Sequence, residues 1–198
     1  MKVIKSFSGD KGVWINKPTV STVKENQLSL TTELNTDFWQ RTYYGFQRHT
    51  GHAYGYYLDG DFSLQVRIKA DFCELYDQAG ILILDDDEHW VKAGIEFNDG
   101  QSSIGCVVTR KMSDWSTGLF PGNPGTFWMR ATLENDALRI QYSTDGKAWP
   151  LLRLCYWPTN QRHFVGVMGC TPEREGLDIA FDEFSIDYPS GKALHDLT

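Results

Sequence analysis

Along residues 90–97, Trp90, Lys92, Gly94 and Glu96 alternate with Val91, Ala93, Ile95 and Phe97. Successive side chains of an extended strand point to opposite faces. The second set therefore reads as core. The first set places an indole, an ammonium, a gap and a carboxylate along a row about 20 Å long. Gly94 removes a side chain from the middle of that row, leaving room for a ligand or a neighbouring aromatic. Gln78, Trp39, Tyr43, Tyr44 and Trp115 join the same groove if their strands neighbour this one. Ring faces beside amide, carboxylate and ammonium groups suit a carbohydrate or a related polar metabolite, whose apolar face stacks while its polar groups are hydrogen-bonded. The competing reading has Lys92 and Glu96 sharing ion pairs on a solvated sheet face, with Trp90 packed under a loop.

Other chemistry finds less support. A glycosidase needs two carboxylates, about 5–5.5 Å apart for retention and about 6.5–9.5 Å for inversion. In Glu96-Phe97-Asn98-Asp99, Asn98 stands where a second acid on the same face would be. Asp77 or Asp114 from another strand remains as a partner for Glu96. Glu173 and Glu175 are two apart, but the Pro and Gly around them place both in a loop. His49 and His52 would chelate a metal on a helix, yet their neighbours suggest a loop. The run Asp85-Asp86-Asp87-Glu88 lacks the spacing and glycine of a calcium loop and reads as a solvated hairpin tip. There is no Gly-rich phosphate loop, nucleophile elbow or dinucleotide fingerprint. No catalytic residue, metal ligand or cofactor is assigned, and His163 and His195 are given no role.

These residues sit in a chain of strands. Phe62, Leu64, Val66, Ile68 and Ala70 alternate with Ser63, Gln65, Arg67 and Lys69; Phe127, Met129, Ala131 and Leu133 alternate with Trp128, Arg130, Thr132 and Glu134. Such patterns put one face in a core. Ala79 to Leu84 is apolar on both faces and predicts a central strand. Strands are expected near 13–15, 27–32, 54–58, 62–70, 78–84, 90–98, 102–110, 126–134, 137–143, 151–156, 164–170 and 177–187. Asp59-Gly60, Asp99-Gly100 and Asp145-Gly146 are hairpin-type turns, and Asn135-Asp136 serves the same purpose. Leu177, Ile179 and Phe181 share one parity whereas Phe184 and Ile186 take the other, so a bulge belongs near Asp182-Glu183. About twelve short strands with almost no helix predict an all-β, two-sheet antiparallel β-sandwich, a jelly roll with one sheet curved into a groove. The 198 residues suit one domain over 1–198, with a core from about 9 to 188 and a peripheral tail.

Several segments carry unusual residues in a fixed order. They are Thr36-Asp37-Phe38-Trp39 with Thr42-Tyr43-Tyr44-Gly45-Phe46, Asp77-Gln78-Ala79-Gly80, Trp90 to Phe97, and Val107-Val108-Thr109-Arg110 with Ser113-Asp114-Trp115-Ser116. Ser143-Thr144-Asp145-Gly146 before Trp149, and Gly176-Leu177 before Phe181, complete the order. Together they resemble the regulation-of-enolase protein family, from about residue 9 to about residue 188. The resemblance implies a concanavalin A-like lectin/glucanase fold and a part in controlling enolase expression in sugar metabolism. It implies no activity, ligand or catalytic residue.

The formal net charge of -7, with no basic run, disfavours nucleic acid and anionic membrane as partners. No stretch is long and apolar enough to be a membrane span, and the first residues lack the apolar region of a signal peptide. Four widely spaced cysteines, without a C-x-x-C, read as reduced thiols and a cytoplasmic setting. The expectation is a non-catalytic binding and regulatory protein. The alternative is a protein-protein interaction module with Trp14, Trp115, Trp149 and Trp157 forming an exposed patch. A glycoside hydrolase-like enzyme is a weaker third reading.

Overall fold

The computed structural model describes residues 3–7 and 12–198; the expected start of the core at residue 9 lies outside them. The first strands are β1 (Val13–Ile15), β2 (Ser21–Lys24), β3 (Gln27–Thr31), β4 (Phe38–Gln40), β5 (Gln47–His49) and β6 (His52–Asp59). Then come β7 (Phe62–Ala70), β8 (Gln78–Asp86), β9 (His89–Asn98), β10 (Gln101–Arg110) and β11 (Met112–Leu119). The last are β12 (Phe127–Glu134), β13 (Ala137–Ser143), β14 (Leu151–Tyr156), β15 (Arg162–Cys170) and β16 (Asp178–Asp187).

They form two antiparallel seven-stranded sheets. One runs β1-β6-β15-β8-β9-β10-β11, the other β14-β13-β12-β7-β16-β3-β2, and β4 and β5 make a separate hairpin. The alternating strands do what their patterns require. On β7, Phe62, Leu64, Val66 and Ile68 are wholly buried while the residues between them are half-buried. They face Ile81, Ile83, Val91, Ala93 and Ile95 of the first sheet across the core. Asn135 and Asp136 both have positive φ, 52° and 58°, the conformation of a two-residue hairpin turn. The bulge in β16 falls where the parity switch puts it: the register slips between Asp182 and Ser185, and Glu183 has φ 48°.

Strand β8 is central and buried on both faces, but only one of those faces meets the other sheet. The outer one carries a second apolar cluster, in which Leu82, Leu84, Trp90, Val107, Phe164 and Met168 pack with Phe38 and Trp39 of the β4–β5 hairpin. The hairpin is thus a lid on the outside of the first sheet.

Four strands, β2, β4, β5 and β11, lie beyond the sequence expectation. All are short or polar. β11 is an edge strand, exposed at nearly every residue, and is held by full pairing to β10.

In the acidic run at the β8–β9 turn, Asp86 and Asp87 are exposed as expected of a solvated tip, but Asp85 is not. Asp85 points inward, where it pairs with the wholly buried His163 and takes hydrogen bonds from Gln161 and the Trp157 indole. Asp86 accepts from the Glu88 N–H and pairs with His89; Asp87 lies 3.4 Å from the His49 ring. Histidines from three parts of the chain thus lie against the run, and the one from β15, His163, draws Asp85 inward. The terminal segment also docks: Arg139 donates to the carbonyls of Lys192 and Ala193, and the Trp149 N–H donates to the Leu197 carbonyl.

Candidate functional site

The lid leaves part of the outer face of the first sheet open, and a cavity of about 240 Å³ lies there. Its floor is Lys92 on β9. Lys92 is almost wholly buried, and its Nζ donates to Asp37 Oδ1 at 2.8 Å and to Gln78 Oε1 at 2.8 Å. Burial is the strongest influence and works against the Lys92 charge, but the adjacent Asp37 carboxylate, with further pull from neighbours that include Glu96, holds the ammonium above its usual range. Asp37 is itself locked in place. Its Oδ1 accepts from the Phe38 N–H, and its carbonyl accepts from the Thr50 and Gly51 N–H groups. The ion pair therefore fastens the lid to the sheet.

Glu96, four residues further along β9 on the same face, is partly buried. Burial raises its carboxyl above the ordinary range, against the opposing pull of Lys92. Its one hydrogen bond is a long one, 3.4 Å from the Asn98 amide. The Gln78–Glu96 register pair shows why both reach the same cavity from neighbouring strands.

The walls are aromatic. Trp39, whose indole N–H donates to the Thr42 carbonyl at 3.0 Å, meets Trp115 edge-on, with centroids 6.4 Å apart and planes at 88°. It meets Tyr44 similarly at 5.6 Å and 72°, and Tyr44 stacks on Phe46. The Tyr44 and Tyr76 hydroxyls are 3.1 Å apart; that bond, with burial, raises the Tyr76 phenol above its usual range. Arg48 lies over the Phe46 ring, its guanidinium carbon 4.8 Å from the centroid. The rim is closed by Pro172 and Glu173. Asp77 positions that rim and lies outside the cavity. It is wholly buried, chelates Arg174 through two hydrogen bonds of 2.8 and 2.6 Å, and accepts from the Cys73 and Glu74 N–H groups.

Of the residues singled out from the sequence, Trp39, Tyr44, Gln78, Lys92, Glu96 and Trp115 come together around this cavity. Two do not. Tyr43, 94% exposed, stands outside against the edge of Tyr44. Trp90 is wholly buried under the lid, 6.0 Å from the Phe38 ring, with its indole N–H unpartnered. It faces outward on its strand as the alternation requires, but the lid covers that end of the row. Gly94 has a further reason beyond leaving space. A Cβ there would lie 2.1 Å from the Ala79 carbonyl oxygen and 2.6 Å from the Gly80 Cα, so the close approach of β8 excludes a side chain.

Neither carboxylate considered as a partner for Glu96 reaches the cavity. Asp77 is spent on Arg174, and Asp114 is exposed beside Arg153 at 3.4 Å. The acids that do line it beside Glu96 are Asp37, on the floor, and Glu173, on the rim; spacing along the strand could not reveal Asp37. The clue was Lys92 in a strand of core residues, since a buried ammonium demands a carboxylate. His49 and His52 point apart: His49 lies edge-on to Phe38, while the His52 ring contacts the Asn16 carbonyl and the Glu33 N–H. Among the described residues no group of three or more His, Cys, Asp or Glu is arranged to hold a metal. The expected tryptophan patch does not form either, because Trp149 and Trp157 are each 1% exposed.

The architecture is a jelly-roll sandwich of the kind found in glycoside hydrolase structures. The GH43 BlXynB protein from Bacillus licheniformis superimposes with a TM-score of 0.70 at 14% identity, over 93% of this chain and 39% of that one. The chain belongs to the family described as "Protein of unknown function (DUF1349)", which matches residues 14–189. The resemblance to regulation-of-enolase proteins holds across the chain. "Regulation of enolase protein 1" of Saccharomyces cerevisiae is 48% identical over 98% of both sequences. A crystal structure described as that of a functionally unknown protein from Saccharomyces cerevisiae superimposes with a TM-score of 0.89 at 46% identity, covering 91% of this chain and 98% of that one.

Proposed function

We propose that this protein is a non-catalytic regulator that binds a small polar metabolite or carbohydrate in the cavity between the lid and the first sheet. The name of the yeast relative supports a part in regulating enolase. The observation that carries the ligand reading is the Asp37–Lys92–Gln78 floor, ion-paired and nearly buried, enclosed by Trp39, Tyr44 and Trp115. A buried charge pair costs desolvation and is often no more stabilising than an apolar pair. Its placement at the bottom of an aromatic cavity favours recognition over simple stability. The carboxylates do not favour hydrolysis, since Asp37 is bound by Lys92 and the other acid lining the cavity with Glu96, Glu173, stands exposed on the rim. All four thiols are unpaired, which supports a reducing, cytoplasmic setting. The acidic balance supports neither nucleic acid nor anionic membrane as a partner, and among the described residues no helix is long and apolar enough to cross a membrane.

The test is a thermal-shift screen of the pure protein with mono- and oligosaccharides, sugar phosphates and small charged metabolites. A ligand bound only to the folded state at about 100 times its dissociation constant adds about 2.7 kcal/mol. The expected hit disappears in Trp115→Ala, which removes a half-exposed wall without opening the core.

A second reading has an observation of its own. Met112 and Leu119 on β11, and Leu151, Leu154 and Tyr156 on β14, are all exposed on edge strands of the two sheets. They make a protein contact the natural alternative. A silent ligand screen together with a partner retained from cell extract and lost in Leu154→Asp would favour it.

A further inference from the structure

The cavity distributes charge unevenly. Lys92 is neutralised by Asp37 at 2.8 Å, and the Gln78 carbonyl oxygen is taken by the same ammonium. Glu96 has no such partner: among the described residues no cation lies within ion-pair distance of it, and its single long hydrogen bond leaves most of its accepting capacity free. Glu173 on the rim is exposed and likewise unpaired with a cation. Around these acids stand the rings of Trp39, Tyr44, Phe46 and Trp115, several of them at steep angles to one another. These rings line one space, and an aromatic face, which carries partial negative charge, favours a cation set against it. The wall already shows this behaviour, because the Arg48 guanidinium lies over Phe46. A neutral sugar, by contrast, needs donors and acceptors for each hydroxyl, and two of the floor groups are consumed by one another.

We propose that the cavity takes a small organic cation, a methylated or quaternary ammonium head group, with the rings enclosing it and Glu96 as its counter-charge. The inference rests on the cavity being the ligand site and selects the class of ligand within that reading. Methyl groups spread the charge and cannot donate hydrogen bonds, so such a head group loses little by leaving water for ring faces. A primary ammonium would forfeit hydration that a single carboxylate does not replace.

The experiment is calorimetric titration with choline and, as its neutral isostere, 3,3-dimethylbutan-1-ol; glucose serves as the saccharide arm. The expected result is binding of choline about tenfold or more tighter than the neutral alcohol. That preference collapses in Glu96→Gln, and binding of either compound weakens in Trp115→Ala. Circular dichroism of both variants verifies that they are folded. Equal affinity for choline and its isostere, or an undiminished preference in Glu96→Gln, overturns the proposal. If glucose binds and choline does not, and glucose binding is lost in Trp115→Ala, the cation is wrong while the cavity stands as a ligand site. If none of the three binds and the wider metabolite panel gives no thermal shift, both readings fall.

Discussion

At the scale of single residues, Lys92 and Glu96 share a strand face and a cavity yet have opposite energetic positions. Lys92 has its charge matched by Asp37. Removing one partner leaves the other buried and unpaired, and a cost of about 3–5 kcal/mol is expected for Lys92→Met or Asp37→Asn, measured by denaturant unfolding. Glu96 has no matched partner, and burial raises its folded pKa above the model-compound value of 4.5. The folded state then binds that proton more tightly than the unfolded state, so stability falls as pH rises through the folded value. The penalty is fully present above the folded pKa and is relieved as pH drops toward the unfolded one. Glu96→Gln is therefore expected to raise the melting temperature at pH 7, with the gain shrinking toward pH 4.5. A variant that melts lower than the parent at pH 7 would show that Glu96 is supported by contacts beyond Asn98.

At the scale of elements, the β4–β5 lid decides what the outer face of the first sheet can do. It is anchored by Phe38, wholly buried against Trp90, and by the Asp37–Lys92 pair. Further support comes from the Gln40 side chain donating to the Asp87 carbonyl and the Gln40 N–H donating to the Ser113 hydroxyl. Phe38→Ala is expected to cost about 3–5 kcal/mol. Hydrogen exchange should show the loss as faster exchange in β4 and β5 and in the outward-facing cluster, with β7 and β12 still protected at the level of global unfolding. Uniform acceleration across both sheets would mean that the lid is not an independent layer.

The lid also marks where the sequence stops being legible. The alternation in β7, β9 and β12, the double-sided burial of β8 and the bulge in β16 all follow from periods of two, which depend only on neighbours along the chain. Whether an outward-facing Trp90 is wet or covered depends on a hairpin fifty residues earlier. The three-residue strands of that hairpin are too short to show a period. Lys92 announced a partner, but Asp37 could be chosen over other acids only with the lid in place. Asp77 is the converse case, because a motif residue that looked like site chemistry is a brace holding Arg174 and the rim.

At the scale of the whole molecule, chain order and sheet order are interleaved. β15 lies between β6 and β8 in the middle of the first sheet, and β16 lies between β7 and β3 in the second. Both come from the last forty residues, so neither sheet is continuous until the end of the sequence has joined it. The inner faces of those strands also supply wholly buried core residues, among them Val165, Val167, Phe181 and Ile186. A fragment ending at residue 160 would retain the whole cavity floor and the lid, including Asp37, Lys92 and Glu96. It would nevertheless expose four unpaired strand edges where β15 and β16 belong, and the backbone groups there would have to be satisfied by water in what is otherwise core. Such a fragment is expected to show no cooperative thermal transition by circular dichroism. Adding a peptide of residues 161–198 is expected to restore one, because both missing strands insert between existing neighbours. A cooperative melt of the fragment alone would mean that the sheets close up without their central strands, and the core would then have to be redrawn around β7, β8, β9 and β12.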